Sequence, residues 1–176
     1  MEPHNSYFIG TDVFYQYMVL NRCAELKARH KLEKEHFQEA EELTRRLQNG
    51  KIPEDIRAQL EEMLDHYGNL PIIVRSSSIM EDGYGNAFSG KYESVFCMNQ
   101  GTREERLKEL EDAIRRVYAS VMNESAIEYR RKRHLLDMDE QMALLIQQVS
   151  GQTYGDYYLP VAAGMGCSYN PYKWME

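Results

Sequence analysis

The hydrophobic pattern predicts helices early in the chain, strands near its middle, a further helical stretch, and strands again. Tyr7-Phe8-Ile9 is a short strand-like run, and Gly10-Thr11-Asp12 supplies a turn and a helix start. Val13 to Leu20 is apolar or aromatic all round, which predicts a mostly buried helix. Residues 23–49 are the most charged part of the chain. Leu26, Phe37, Ala40, Leu43 and Leu47 leave a thin apolar stripe there, ended by Asn49-Gly50. Pro53 opens a clearer helix, with Ile56, Leu60, Met63, Leu64 and Tyr67 on one face before Gly68-Asn69 stops it. Ile72-Ile73-Val74 reads as a strand that ends at Arg75 and a hydroxyl-rich loop, Ser76-Ser77-Ser78. After Glu81-Asp82 and a Gly-rich turn, Tyr92 to Met98 reads as a second strand.

Thr102-Arg103-Glu104-Glu105 is a capping box. Leu107, Leu110, Ile114, Val117 and Val121 continue it as a helical stripe to about Met122, and Asn123 restarts a helix through Tyr129. That helix leads into Arg130-Arg131-Lys132-Arg133, a cluster that fits an RNA or acidic partner or, more simply, a helix C-terminus favoured by cations. Met142 to Val149 is a continuous apolar run ending in Gln147-Gln148, short enough to predict a buried strand. The expected fold class is α+β. Antiparallel strands around 72–98 and 142–170 pack on the helices of 102–133, and the helices of 12–67 form a separate layer or arm. Two units are expected: a strand and helical segment over 1–70, and a second region over 71–176.

A net charge of −7 gives no general attraction to nucleic acid or an anionic membrane, though a local basic pocket stays open. No apolar run approaches the roughly 20 residues of a membrane span, and Met1-Glu2-Pro3-His4 is not the start of a signal peptide. Cys23, Cys97 and Cys167 are odd in number and far apart, which predicts free thiols in a cytoplasmic protein. His30, His36 and His66 read as helix-surface residues, since no partner set for a metal accompanies them. Tyr154, Tyr157, Tyr158, Tyr169 and Tyr172 suit stacking on a base or simple strand propensity equally.

The chemistry concentrates in Pro71 to Phe96. Arginine offers a fixed fork of donors matched to phosphate oxygens. Serine hydroxyls add donors, and Gly83, Gly85 and Gly90 let backbone amides approach an anion closely. A plain β-hairpin with a polar loop accounts for the same composition. Glu81-Asp82 suits a helix cap or an arginine partner as well as a metal.

The stretch VRSSSIMEDGYGNAFSGKYES resembles the ATP-binding signature of the pyruvate phosphate dikinase and phosphoenolpyruvate synthase family. The matching elements are Arg75-Ser76-Ser77, Glu81-Asp82, Phe88-Ser89-Gly90 and Ser94, in order and at the family's spacing. Ser89, Lys91 and Tyr92 depart from its usual residues. Ala126-Ile127-x-Tyr129-Arg130 and Gly164 to Pro171 resemble it too, with Cys167 in place of an aromatic. The last of these would be the next antiparallel strand after a turn around Gly151 to Gly155.

The resemblance implies a partial ATP-grasp-like domain with ATP and Mg²⁺ as cofactors. Arg75, the catalytic candidate, would neutralise phosphate charge. Ser76, Gly90 and Ser94 would hold the phosphates, and Gln147 would face the nucleotide. The phosphoryl group would pass to a histidine on a separate domain and then to pyruvate or a similar acceptor. Neither nucleic acid nor a membrane is implied as partner, and apolar surface at the ends of the region invites self-association. The family's lysine-bearing Gly-rich segment has no counterpart before Tyr7, and its metal ligands would lie beyond Glu176. The expectation is therefore a fragment of a longer multidomain enzyme, inactive alone. The other reading is a non-catalytic regulatory or scaffolding domain that keeps the fold. Lys91 bears on the choice: facing inward, it would supply phosphate charge.

Overall fold

A computed structural model describes residues 5–32, 37–81, 90–136 and 138–164, with the side chains of 28–40 outside that description. The chain is mixed α and β, as expected. Strand β1 (Ser6–Ile9) leads into helices α1 (Thr11–Leu20), α2 (Cys23–Leu32), α3 (Phe37–Asn49) and α4 (Glu54–Tyr67). Strands β2 (Ile72–Ser78) and β3 (Ser94–Cys97) follow, then α5 (Arg103–Ala119), a 3-10 turn (Ser120–Met122) and α6 (Glu124–Lys132). Strand β4 (Met142–Gln148) and a small hairpin, β5 (Gln152–Tyr154) and β6 (Tyr157–Leu159), complete the described elements.

The main sheet has the order β1-β4-β2-β3, with every pair antiparallel. Strand β4, the apolar run of the sequence, therefore lies inside the sheet between β1 and β2. Its core-facing residues Met142, Leu144 and Ile146 are fully buried, while Ala143, Leu145 and Gln147 are half-buried. A run apolar on both sides suggests a strand buried on both faces, but helices cover only one face among the described residues. Helix α5 lies against β2 and β3, and α1 lies against β4.

Of the layer or arm expected for 12–67, the structure shows a layer. Phe14, Tyr17, Leu43, Leu47, Leu60 and Leu64 share one core with Leu110, Ile114 and Tyr118 of α5. The Phe14 and Tyr17 rings pack on Tyr118 at centroid distances of 4.9 and 5.2 Å, and the Tyr17 hydroxyl donates to the Leu47 carbonyl at 2.6 Å. Helix α1 is amphipathic rather than buried all round, because Val19 and Leu20 at its end are exposed. Gly68, at φ +60°, ends α4 in a conformation that costs a side chain steric strain. Both halves of the capping box form at Thr102 and Glu105, fixing the start of α5.

Two further sequence expectations change. The serine run is strand, not loop: β2 continues through Arg75 to Ser78, because β4 is long enough to pair with all of it, from Ile72↔Gln148 to Ser78↔Met142. The turn expected around Gly151 to Gly155 is itself the β5–β6 hairpin, reversing at Gly155 with φ +61°. Arg130, Arg131 and Lys132 stand in the last turn of α6, the helix C-terminus that the cluster suggested, and Arg130 is buried. The strand expected over Gly164 to Pro171 lies, beyond Gly164, outside the described residues.

Candidate functional site

Strand alternation decides which candidate residues meet. On β2, Ile72, Val74 and Ser78 are buried, and Ser76 shares their side; Ile73, Arg75 and Ser77 point the other way. Arg75 stands opposite Ser94 on β3 and Leu145 on β4, and Leu145 stands opposite Phe8 on β1. One row across the open face thus reads Phe8, Leu145, Arg75, Ser94. The neighbouring row reads Ser6, Gln147, Ile73, Phe96. Gln147 is a diagonal neighbour of Arg75, about 7–8 Å away by sheet geometry. Three candidates from three strands, Arg75, Ser94 and Gln147, therefore share one face.

The described residues set the charge and exposure of that face. Arg75 is exposed and makes no ion pair or hydrogen bond among the described residues. Ser94 is exposed at the start of β3, and the Gln147 amide donates to Ser6 Oγ at 3.1 Å. Phe8 is 78% and Phe96 66% exposed, so the cationic row is flanked by apolar surface suited to a flat ring. Gly90 has φ +75° and open space where a side chain would stand, four residues ahead of Ser94. Any other residue would be strained there.

Ser76 is not brought into this group. Its hydroxyl lies on the opposite side and donates to Glu81 Oε1 at 2.7 Å, while Glu81 Oε2 accepts the Ser78 amide at 2.9 Å. Glu81 is thereby used to fold the exit from β2; its neighbour Asp82 lies outside the described residues, as do Gly83, Gly85, Phe88 and Ser89. Ser77, two residues from Arg75 and exposed, is the β2 serine on the open face. Reading the serines as loop hid it; a period of two carried on from Ile73 would have found it. Lys91 sits with its ammonium 5.9 Å from the Tyr129 ring centre, against α6.

No group of three or more His, Cys, Asp or Glu side chains able to hold a metal ion occurs among the described residues. His66 instead packs edge-on to Tyr7. Cys23 and Cys97 are free and buried, and burial pushes the Cys97 thiol up to about 12. No described helix is long and apolar enough to cross a membrane. A groove of about 390 Å³ beside β3 and α5, lined by Val95, Phe96, Lys108, Ala113 and Arg116 among others, contains none of Arg75, Ser94 and Gln147.

Among the described residues, helices lie on one side of an antiparallel sheet, and an arginine, hydroxyls and an amide lie on the other, in a mixed α and β domain. The family model for the pyruvate phosphate dikinase, AMP/ATP-binding domain, matches residues 1–175, and the chain belongs to that family. No curated protein matches the chain. Membership makes this an ATP-binding domain of dikinase type, in a family of phosphotransferases.

Proposed function

We propose that the open face of the sheet binds ATP, and that the domain serves a phosphotransferase passing a phosphoryl group from ATP towards a histidine on a separate domain. Pyruvate or a similar small acceptor then receives it. The observation that carries this reading is the convergence of Arg75, Ser94 and Gln147 on one face, with no acidic partner for Arg75 among the described residues.

In this reading Arg75 takes the phosphate oxygens, which suits its fork of donors. Ser94 and Ser77 flank it with hydroxyls, and the backbone at Gly90 approaches closely because no side chain intervenes. Ser77 replaces Ser76 in the proposed set, since Ser76 is engaged with Glu81. Gln147 and the apolar residues beside it meet the nucleoside. When bound, Mg²⁺ would neutralise phosphate charge, with ligands drawn from outside the described residues. The protein's share of such a reaction is largely positioning and charge stabilisation, and both are built from rigid strands here.

The test is calorimetry with Mg-ATP on the wild type and on Arg75→Ala. Saturable binding that collapses in the variant supports the reading and locates the phosphates. A folded wild-type protein that ignores Mg-ATP would sink it, leaving a domain that keeps the fold without the nucleotide.

A further inference from the structure

Glu140, two residues ahead of β4, is 1% exposed. A carboxylate so buried is costly unless charge and hydrogen bonds compensate it. Ser78 Oγ donates to its Oε1 at 2.5 Å, and an Arg130 guanidinium nitrogen lies 3.9 Å from its Oε2. Arg130 is itself 9% exposed, and its Nη2 donates to the Val121 carbonyl at 2.5 Å, which aims it inward from α6. The Tyr92 side chain is buried beside the same carboxylate. Burial first, and then the Glu140 charge, raise its hydroxyl pKa.

The position of this cluster matters more than its energy. Ser78 is the last residue of β2, and Tyr92 lies two residues before β3. They are the two flanks of the Gly-rich segment, and both converge on one carboxylate. From Ser78 the order propagates: its Oγ accepts the Met80 amide at 3.0 Å, and its own amide donates to Glu81, which also holds Ser76. A buried ion pair is weak evidence for stability, since apolar residues of similar volume often serve as well. Here it ties two chain segments that no regular pairing joins: the β2–β3 ladder pairs no residue beyond Arg75 and Ser94.

We propose that Glu140, held by Arg130, is a positioning residue that fixes both flanks of the Gly-rich segment and so sets Arg75, Gly90 and Ser94 for the nucleotide phosphates. This rests on the nucleotide reading above. Glu140 touches no ligand in this role; it acts through Ser78 and Tyr92.

The experiment measures Mg-ATP binding and native-state hydrogen exchange on the wild type, Glu140→Gln, Tyr92→Phe, Ser78→Ala and Leu43→Ala. Leu43, buried in α3, is the control for general destabilisation. Glu140→Gln is expected to weaken Mg-ATP binding about tenfold and to speed exchange at the Ser78 and Met80 amides, with α5 still protected. Tyr92→Phe and Ser78→Ala each cost about threefold in affinity, and they decide the matter if Glu140→Gln does not fold. Leu43→Ala loses stability and keeps its affinity. Unchanged binding in the three cluster variants, or an equal loss in Leu43→Ala, overturns the positioning role alone. Failure of the wild type to bind removes the nucleotide reading and this proposal with it.

Discussion

On the helix-covered side of the sheet, Ile72, Val74, Leu144 and Ile146 are fully buried against α1 and α5. One residue along each strand, Ile73, Arg75, Leu145 and Gln147 point the other way and retain solvent contact. The same strands thus carry stability on one face and, in the reading proposed here, chemistry on the other. Both faces of β4 are apolar up to Gln147, so hydrophobicity alone does not separate them. What separates them is where the helices lie, and where a charged side chain has no partner among the described residues.

If the division holds, truncation on the two faces should have unlike consequences. Leu144→Ala removes a side chain with no exposed surface and should cost about 2–5 kcal/mol in urea unfolding, while the folded fraction keeps its Mg-ATP affinity. A loss well under 1 kcal/mol would mean that the covered face is not the core it appears from burial.

Arg75→Ala should do the reverse. Stability should stay within about 0.5 kcal/mol of wild type, because no partner among the described residues is lost. Mg-ATP affinity should fall by about 1.5–3 kcal/mol, the worth of a charge-assisted hydrogen bond, or roughly tenfold to a hundredfold. An unfolding midpoint that drops sharply in this variant would break the comparison, since it would give the open face a structural load.

Gln147→Leu is a smaller test on the same face. It removes the amide that donates to Ser6 at 3.1 Å and leaves an apolar side chain in its place. The expected loss is about 0.5–1.5 kcal/mol in nucleotide affinity, with little change in unfolding because the site is only half-buried. Calorimetry against both ATP and inorganic triphosphate sharpens it: a loss seen with ATP alone puts Gln147 at the nucleoside.

Much of this arrangement was legible in the sequence. The helical stripes of α4 and α5 and the capping box at Thr102 appear where their residues predict them, because those signals are local. The candidates Arg75, Ser94 and Gln147 came from matched motif residues, and their sharing a face follows from register. Register was not legible, since it depends on which strands pair. The same gap explains the serine run. Three serines after an arginine have low strand propensity, yet pairing with β4 overrides it through Ser78. Arg130 stood in a matched motif, but Glu140 gave no signal, and the sequence did not show that the two would be buried together. A glutamate before an apolar run and an arginine in a basic cluster look solvated until the fold buries them together.

The finest test of the two faces uses neighbouring serines. Ser76 and Ser77 are chemically identical, and pleating sends them to opposite sides of β2. Ser76→Ala deletes the 2.7 Å hydrogen bond to Glu81 and leaves that carboxylate with the Ser78 amide. It should lower stability by about 0.5–1.5 kcal/mol and leave Mg-ATP affinity nearly unchanged. Ser77→Ala removes an exposed hydroxyl beside Arg75, so unfolding should stay within about 0.5 kcal/mol of wild type while affinity falls by a similar small amount. The crossed pattern is the point of the pair, because a general loss of order would move both quantities in both variants. If Ser76→Ala weakens nucleotide binding and Ser77→Ala does not, the phosphates lie on the Glu81 side of β2, and the open face loses its proposed role.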